Sequence, residues 1–212
     1  MENTSMNTAT DDQTLAGIRF DFLMPGASVF TTTDIAHALS HICRFTGHTR
    51  DFYSVAQHSV LVSTIVPPAF ALAGLLHDAS RAFIGDLARP LKQLLPEYQA
   101  VERHVQSAVF ERFGLPATVP AAVQDADLVM LATERRDLLQ SSEGWEWTSI
   151  ADIEPLPWRI RPEPPLVARR QFLDRYRELI GVAIAGDTSP DVGRRNPRRL
   201  TPNRRATGSC RD

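Results

Sequence analysis

The residues best suited to chemistry are a histidine–aspartate pair at the end of an apolar run. His77 and Asp78 directly follow Ala71–Leu76, a stretch whose composition is that of a protein core. Burying an imidazole and a carboxylate in such a place is costly unless a partner satisfies both groups. A divalent cation is such a partner, because it binds neutral imidazole nitrogen and ionised carboxylate oxygen together. The pair therefore predicts a metal site.

Two further residues are candidates to complete this site. His58 lies on the apolar face of one predicted helix, and Asp127 lies on the inward face of another. Each has an ordinary alternative, a hydrogen-bonded core histidine or an ion-paired aspartate. Together with His77 and Asp78 they supply four ligands and leave positions open for water and a phosphate oxygen. Asp125 competes with Asp127, but two residues turn a helix by about 200°, so only one can face the cation.

Helices must position these ligands, because apolar residues recur at helical spacing along most of the chain. Thr33 and Ser54 are predicted N-caps of the first two helices. A strand at 18–22 is predicted to pair with a returning strand at Val29 and Phe30 as a short N-terminal β-ribbon. The aromatic, proline-rich stretch 145–165 is predicted to be an ordered loop or covering arm. Helices are predicted from residue 33 onwards and over 54–66, 67–80, 96–113, 119–140 and 166–185, with a short segment at 90–95.

Composition indicates one mostly helical domain over residues 17–185, between a disordered N-terminus (1–16) and a basic disordered tail (186–212). The tail carries seven arginines against three aspartates, although the whole 212-residue chain has a net charge of −2. The acidic remainder argues against an extended nucleic-acid surface. No apolar run approaches the roughly 20 residues of a membrane span, and no signal peptide is recognisable. With only two cysteines, interpreted as reduced thiols, a cytoplasmic location is expected.

Seven short segments around these residues occur in an order characteristic of one enzyme family. They resemble the bacterial and phage branch of the HD-domain phosphohydrolase superfamily, which includes 5′-deoxynucleotidases and phage deoxyadenosine-triphosphate triphosphohydrolases. The resemblance extends from about residue 18 to 179. The segments are RFTGHT (44–49), YSVAQHS (53–59), LLHDA (75–79), IGD (84–86), RPLK (89–92), ADL (126–128) and ATERRDL (132–138).

The resemblance implies an HD-domain helical bundle that holds one divalent ion, Mn, Co, Ni, Zn or Mg. The implied ligands are His58, His77, Asp78 and Asp127. The implied activity is hydrolysis of deoxynucleotides, as a 5′-nucleotidase of monophosphates or a triphosphohydrolase of dNTPs. Relatives of this kind commonly form oligomers, so the resemblance also implies a homo-oligomer.

Further site residues are implied by their matching positions. Arg44 resembles the arginine that holds the substrate phosphate, and Phe45 resembles the aromatic residue beside the nucleoside. The alternative for Arg44 is a surface arginine at a helix C-terminus. Asp86 resembles an acidic catalytic residue near the attacked phosphorus, and it is also a candidate N-cap. Additional candidates for substrate contact are His48, Arg81, Arg89 and Lys92.

Arg81 departs from the family pattern. The family typically has glutamate at this position, where it orients or deprotonates the attacking water. Arginine remains protonated in proteins and cannot act as a base. It lies three residues after Asp78, within reach of that carboxylate or of a phosphate. Three alternatives follow: Asp86 alone serves as base, hydrolysis is weakened, or the protein binds nucleotides without hydrolysing them.

Overall fold

The computed structural model describes residues 10–141, 144 and 147–186, and most of them are helical, which confirms the predicted all-α character. Residues 1–9 and nearly all of the predicted basic tail (187–212) lie outside this range. Within it, no helix is long and apolar enough to cross a membrane. The helices are α1 Thr32–His41, α2 Val55–Ile65, α3 Ala71–Leu76, α4 Arg81–Ile84, α5 Arg89–Lys92, α6 Pro96–Arg112, α7 Ala121–Leu138 and α8 Pro165–Gly186.

An N-terminal ribbon is present, but its predicted pairing was wrong. Strand β1 (Asp11–Gln13) pairs antiparallel with β2 (Arg19–Asp21), so part of the segment predicted to be disordered is a strand. Gly17 has φ 74°, a conformation that glycine adopts easily and that lets the chain reverse between the strands. Buried Phe20 stacks on Phe83 of α4 with ring centroids 3.9 Å apart. The ribbon is thereby fixed to the helical body.

Side-chain caps determine where the first two long helices begin. Thr31, rather than the predicted Thr33, caps α1, because Thr31 and Asp34 form a reciprocal capping box. Ser54 caps α2 as predicted and accepts a hydrogen bond of 3.1 Å from the Gln57 backbone N–H. The cap at Ser54 sets the rotation of the helix that carries His58.

Helix α2 is the central element of the body and contacts α1, α3, α7 and α8. Its first turn contributes Val55 and Ala56 to one buried apolar cluster, and Val62 belongs to a second cluster shared with α7. His58, between these groups, has no solvent exposure. Packing on several sides therefore fixes the position of this histidine.

Gly74 allows α3 to lie close against α2. A Cβ atom at Gly74 would be 3.2 Å from both Ser63 Cα and Val66 Cγ2, tighter than ordinary van der Waals contact. Only a residue without a side chain permits this approach without displacement. The close approach brings the end of α3, where His77 follows, next to α2.

The proline-rich segment 147–164 is a covering arm, as one of the two predicted alternatives states, and it is held against α7. Arg136 donates hydrogen bonds of 2.6 and 2.7 Å to two backbone carbonyls of the arm. Asp137 accepts from Arg159 Nη1 at 2.6 Å and from the Ile160 backbone N–H at 2.9 Å. These charge-assisted bonds attach the arm at several points.

The arm also contacts α2 beside the predicted ligand. Gln57 donates to the Arg161 carbonyl at 2.6 Å and accepts from the Glu163 N–H at 2.9 Å. Gln57 is itself buried, so both halves of its amide are satisfied within the protein. The arm therefore fixes the residue that precedes His58.

Replacing Asp137 by asparagine is expected to destabilise the fold in a pH-dependent way. Burial acts to raise the pKa of Asp137, but hydrogen bonds from Arg136, Ile160 and Arg159 lower it to about 2. Unfolded aspartate titrates near pH 4, so the stabilisation is present above about pH 4 and is lost as the pH falls towards 2. At pH 7 the free energy of unfolding should fall by about 1–3 kcal/mol, typical of hydrogen bonds to a charged group.

Urea unfolding of the wild type and of Asp137→Asn at pH 7 and pH 3 measures this effect. The difference between the two proteins should shrink at pH 3. Asp174→Asn is the matched control, since Asp174 pairs with Arg177 at an exposed position of α8. An equal difference at both pH values would contradict the assigned role of the Asp137 carboxylate.

Candidate metal centre

Three helices bring the predicted ligands together. His58 comes from α2, His77 and Asp78 from the turn after α3, and Asp127 from α7. One ligand atom from each of His58, His77 and Asp127 lies within 4.8 Å of the other two. Asp78 Oδ2 lies 3.6 Å from His58 Nε2 and 3.4 Å from His77 Nε2. All four predicted side chains thus face one point.

The separations match those of ligands around a single ion. His58 Nε2 lies 3.3 Å from His77 Nε2 and 3.2 Å from Asp127 Oδ1, and His77 Nε2 lies 3.9 Å from the same oxygen. Ligand atoms about 2.1 Å from a common ion are roughly 3.0–4.2 Å apart for angles between 90° and 180°. A divalent ion therefore fits between the four side chains without large movement.

Hydrogen bonds on the far side of both rings leave the facing nitrogens free to bind. His58 Nδ1 lies 2.6 Å from Glu134 Oε1, and His77 Nδ1 lies 2.7 Å from the Gly74 carbonyl oxygen. Because both oxygens can only accept, each Nδ1 carries a hydrogen and each Nε2 can present a lone pair. Two such lone pairs 3.3 Å apart repel each other unless a cation lies between them. Metal-binding histidines are commonly oriented in this way.

The pKa values of His58 and His77 agree with a site that attracts positive charge. Burial and the Arg44 charge act to lower the pKa of His58, but Glu134 and Asp127 outweigh them and raise it to about 9. Burial lowers the pKa of His77, which remains neutral at pH 7. At that pH a proton on His58 supplies the cation, and an incoming metal ion has to displace it.

Asp78 Oδ2 is also suited to bind a cation. This oxygen is buried and forms an ion pair with Arg81 Nη1 at 2.8 Å, but it accepts no hydrogen bond of good geometry from any residue the structure describes. Burial acts to raise the pKa of Asp78, but Arg81 and the two histidines hold it below its ordinary value. An ionised carboxylate oxygen in this position is suited to bind a cation.

Glu134 is a site residue that the sequence analysis missed. It is fully buried, accepts a hydrogen bond of 2.7 Å from Arg44 Nη2, and holds His58 through its other oxygen. Its carboxylate thus connects the arginine to one ligand of the centre. The available signal was its position on α7, about two turns after Asp127 and therefore on the same face.

The charged side chains around the centre have an excess of negative charge that a divalent ion would neutralise. The surrounding ion pairs involve four carboxylates and two guanidinium groups. With neutral imidazoles two negative charges have no counter-charge, and the proton that His58 carries at pH 7 offsets only one of them. The charged residues are Asp78, Asp86, Asp127, Glu134, Arg44 and Arg81.

A strained turn places the side chain of Phe45 near the centre. Phe45 and Thr46 both have φ 54°, in the left-handed region. Such conformations are unfavourable for residues other than glycine and are concentrated at functional sites. The Phe45 ring lies 6.2 Å from that of Trp147, and the Arg44 guanidinium carbon lies 5.2 Å from the Phe45 ring centroid. Arg44 itself is buried, so it is not a surface arginine.

Arg81 forms ion pairs with two acidic residues of the site. Its Nη1 lies 2.8 Å from Asp78 Oδ2 and 2.9 Å from Asp86 Oδ1. Burial raises the pKa of Asp86, although the nearby Arg81 and Arg44 charges act to lower it. Asp86 is not an N-cap, because Ala88 occupies that position before α5.

Other candidates are exposed or paired elsewhere. His48 is exposed beyond the strained turn, and Arg89 is exposed at the start of α5. Lys92 pairs with Glu102 of α6 at 2.8 Å. Asp125, the alternative to Asp127, is exposed on the other side of α7. Ion pairs thus connect Arg44, Arg81 and Asp86 to the candidate ligands, whereas the substrate contacts predicted for His48, Arg89 and Lys92 remain predictions.

Comparison with known proteins identifies two relatives that match over most of their length. The chain is 40% identical over 168 residues to the uncharacterized protein YfdR of Escherichia coli K12, covering 79% of this chain and 94% of YfdR. It is 34% identical over 183 residues to the uncharacterized protein RCAP_rcc00048 of Rhodobacter capsulatus, covering 78% of this chain and 93% of that protein. No protein-family model matches the chain. Neither relative's name specifies an activity.

Proposed function

This chain belongs to the family that contains Escherichia coli YfdR, and we propose that it is an HD-domain, divalent-metal-dependent phosphohydrolase of deoxynucleotides. The observation that carries the proposal is the convergence of two histidine Nε2 atoms with two aspartate oxygens. Their separations fit one ion. The order His58, His77-Asp78, Asp127 along the chain also supports an HD-domain fold, through the resemblance stated above.

A divalent ion held by these four residues would polarise a phosphoryl oxygen and lower the pKa of a water molecule. The residues of the chain supply the remaining requirements. Glu134 and the Gly74 carbonyl keep both imidazoles oriented towards the ion. Arg44, held against Glu134, brings a permanent positive charge to within 4.0 Å of Asp78 Oδ2. Such a charge would stabilise the negative charge of a phosphoryl group.

Arg44 retains capacity for a ligand. Its Nε is buried and donates to no acceptor among the residues that the structure describes. A phosphate oxygen would satisfy such a donor with a charge-assisted hydrogen bond. The ring of Phe45, next in the chain, lies beside this arginine, and its centroid is 6.2 Å from that of the Trp147 ring, at an angle of 46° between the ring planes. Aromatic faces of this kind stack on nucleobases, which supports a nucleotide as the substrate.

The proposal is tested by product release from a panel of deoxynucleotides. Full-length protein is stripped with a chelator, reloaded with Mn²⁺, Co²⁺, Ni²⁺, Zn²⁺ or Mg²⁺, and assayed for phosphate from dNMPs and triphosphate from dNTPs. We expect turnover of at least one substrate at about 1 s⁻¹ or faster with a bound ion, and loss of that turnover after chelation. Absence of product from every substrate, with a metal ion demonstrably bound, would contradict hydrolysis.

A second function is favoured by one specific observation, the arginine at position 81. Arg81 neutralises Asp86 instead of supplying a base, which is compatible with a protein that binds deoxynucleotides and hydrolyses them weakly or not at all. In that case nucleotides would raise the melting temperature of the metal-loaded protein without product release. Enzyme-like turnover in the same panel would exclude this second function.

A further inference from the structure

One guanidinium nitrogen lies between two buried carboxylates at the edge of the proposed metal centre. Arg81 Nη1 is 2.8 Å from Asp78 Oδ2 and 2.9 Å from Asp86 Oδ1. The three side chains are only 13%, 8% and 8% exposed, respectively. Salt and water therefore screen this contact much less than they would screen a surface ion pair.

The oxygen contacted by Arg81 is also the oxygen that faces both histidines. Asp78 Oδ2 lies 3.6 Å from His58 Nε2 and 3.4 Å from His77 Nε2. Neither Arg81 Nη1 nor Asp78 Oδ2 has a hydrogen-bond partner of good geometry among the described residues. Their contact is thus electrostatic and lacks the alignment of a strong hydrogen bond. A divalent ion and the guanidinium group would be attracted to the same atom.

We propose that Arg81 is a built-in cation that competes with the divalent ion for Asp78 and thereby lowers the metal affinity of the site. This inference rests on the proposed function, because it takes His58, His77, Asp78 and Asp127 as the metal ligands. Like charges a few ångströms apart in a buried site repel strongly.

Asp86 gives Arg81 a second anchor. Gly85, with φ 79°, ends α4 and turns the chain so that Asp86 lies close to the first residue of that helix. When an ion binds Asp78, the pair with Asp86 keeps the guanidinium group attached to the site. Arg81 would then be retained beside the ion, where a phosphate could contact it. The two carboxylates together determine how far Arg81 opposes metal binding.

The test is calorimetric titration of the chelator-stripped full-length chain with Mn²⁺ alone. Arg81→Gln is expected to bind Mn²⁺ with a Kd at least about tenfold lower than that of the wild type. Arg177→Gln is the matched control, because it removes the same charge from an exposed position of α8, and its Kd should equal that of the wild type. A larger rise in melting temperature with Mn²⁺ for Arg81→Gln than for the wild type gives an independent readout.

Arg81→Met, a neutral side chain of similar length, serves as a second variant. A double-mutant cycle with Asp86→Asn then tests the anchor. Asp86→Asn should weaken Mn²⁺ binding more in the wild type than in the Arg81→Gln background, because only the wild type retains the competing guanidinium group. Equal effects in the two backgrounds would overturn the assigned role of Asp86 as an anchor.

The remaining outcomes separate this inference from the proposed function. Unchanged or weaker Mn²⁺ binding by both neutral variants, with a wild type that binds, would overturn the competition and leave the metal centre intact. Failure of both neutral variants to fold would make Arg81 a structural requirement and would also overturn it. The same titration is repeated with Co²⁺, Ni²⁺, Zn²⁺ and Mg²⁺, and no ion bound by the wild type or by either folded neutral variant would overturn the metal-dependent function itself and this inference with it.

Discussion

Replacing Asp127 by alanine is expected to abolish stoichiometric Mn²⁺ binding and to reduce deoxynucleotide hydrolysis by at least about 10³-fold, equivalent to roughly 4 kcal/mol of transition-state stabilisation. Asp127 Oδ1 lies 3.2 Å from His58 Nε2 and 3.9 Å from His77 Nε2. Its removal takes one of two negative ligands from the proposed ion. Titration with Mn²⁺ and steady-state kcat measure the two effects.

Asp125→Ala is the matched control for this experiment. It removes the same side chain from the same helix, two residues earlier and at an exposed position. Metal binding and kcat of this variant should equal those of the wild type. Retention of both properties in Asp127→Ala, or their loss in Asp125→Ala, would contradict the assignment of the α7 ligand.

Replacing Glu134 by glutamine is expected to damage both stability and metal binding. The glutamate oxygens accept from Arg44 Nη2 at 2.7 Å and from His58 Nδ1 at 2.6 Å. A glutamine amide has only one accepting end, so a donor would face a donor and the buried Arg44 would lose its counter-charge. The cost of breaking a buried ion pair is about 3–5 kcal/mol. Loss of the histidine's supporting hydrogen bond should weaken metal affinity by about 10–100-fold.

Urea unfolding of the metal-free protein and Mn²⁺ titration measure these two effects separately. Glu111→Gln, at an exposed position near the end of α6, controls for the change of one negative charge. Glu134→Asp retains the charge and should lose less stability than Glu134→Gln. Wild-type stability and metal affinity in Glu134→Gln would contradict the role assigned to this carboxylate.

Local sequence rules predicted the long helices well, but they predicted the ribbon poorly, missed α4, and extended α3 beyond Leu76. Ser54 and Pro96 identify the starts of α2 and α6, because a capping side chain and a first-turn proline act over a few residues. The predicted partner of β2 was wrong because short strands carry little hydrophobic pattern in their sequence. A glycine turn at Gly17 decides their pairing.

The four residues of the candidate metal centre could be found from the sequence because each places a polar group where core residues are expected. Glu134 was missed although it shares a face of α7 with Asp127, since its role depends on Arg44, which lies far away in the sequence. The spacing of three residues between Asp78 and Arg81 predicted a contact between their side chains. The simultaneous contact with Asp86 requires the turn at Gly85, and side-chain spacing alone does not reveal it.

Gly74 connects the architecture of the helices to the chemistry of the centre. Its missing side chain permits the close approach of α3 to α2, and its carbonyl accepts the hydrogen bond that orients His77. The distance between the two histidines and the rotation of one of them therefore depend on the same residue. Any larger side chain at this position would change both the distance between His58 and His77 and the orientation of the His77 ring. In the proposed metal centre, the selection of an ion by its radius would thus be coupled to helix packing at a residue that is not one of the proposed ligands.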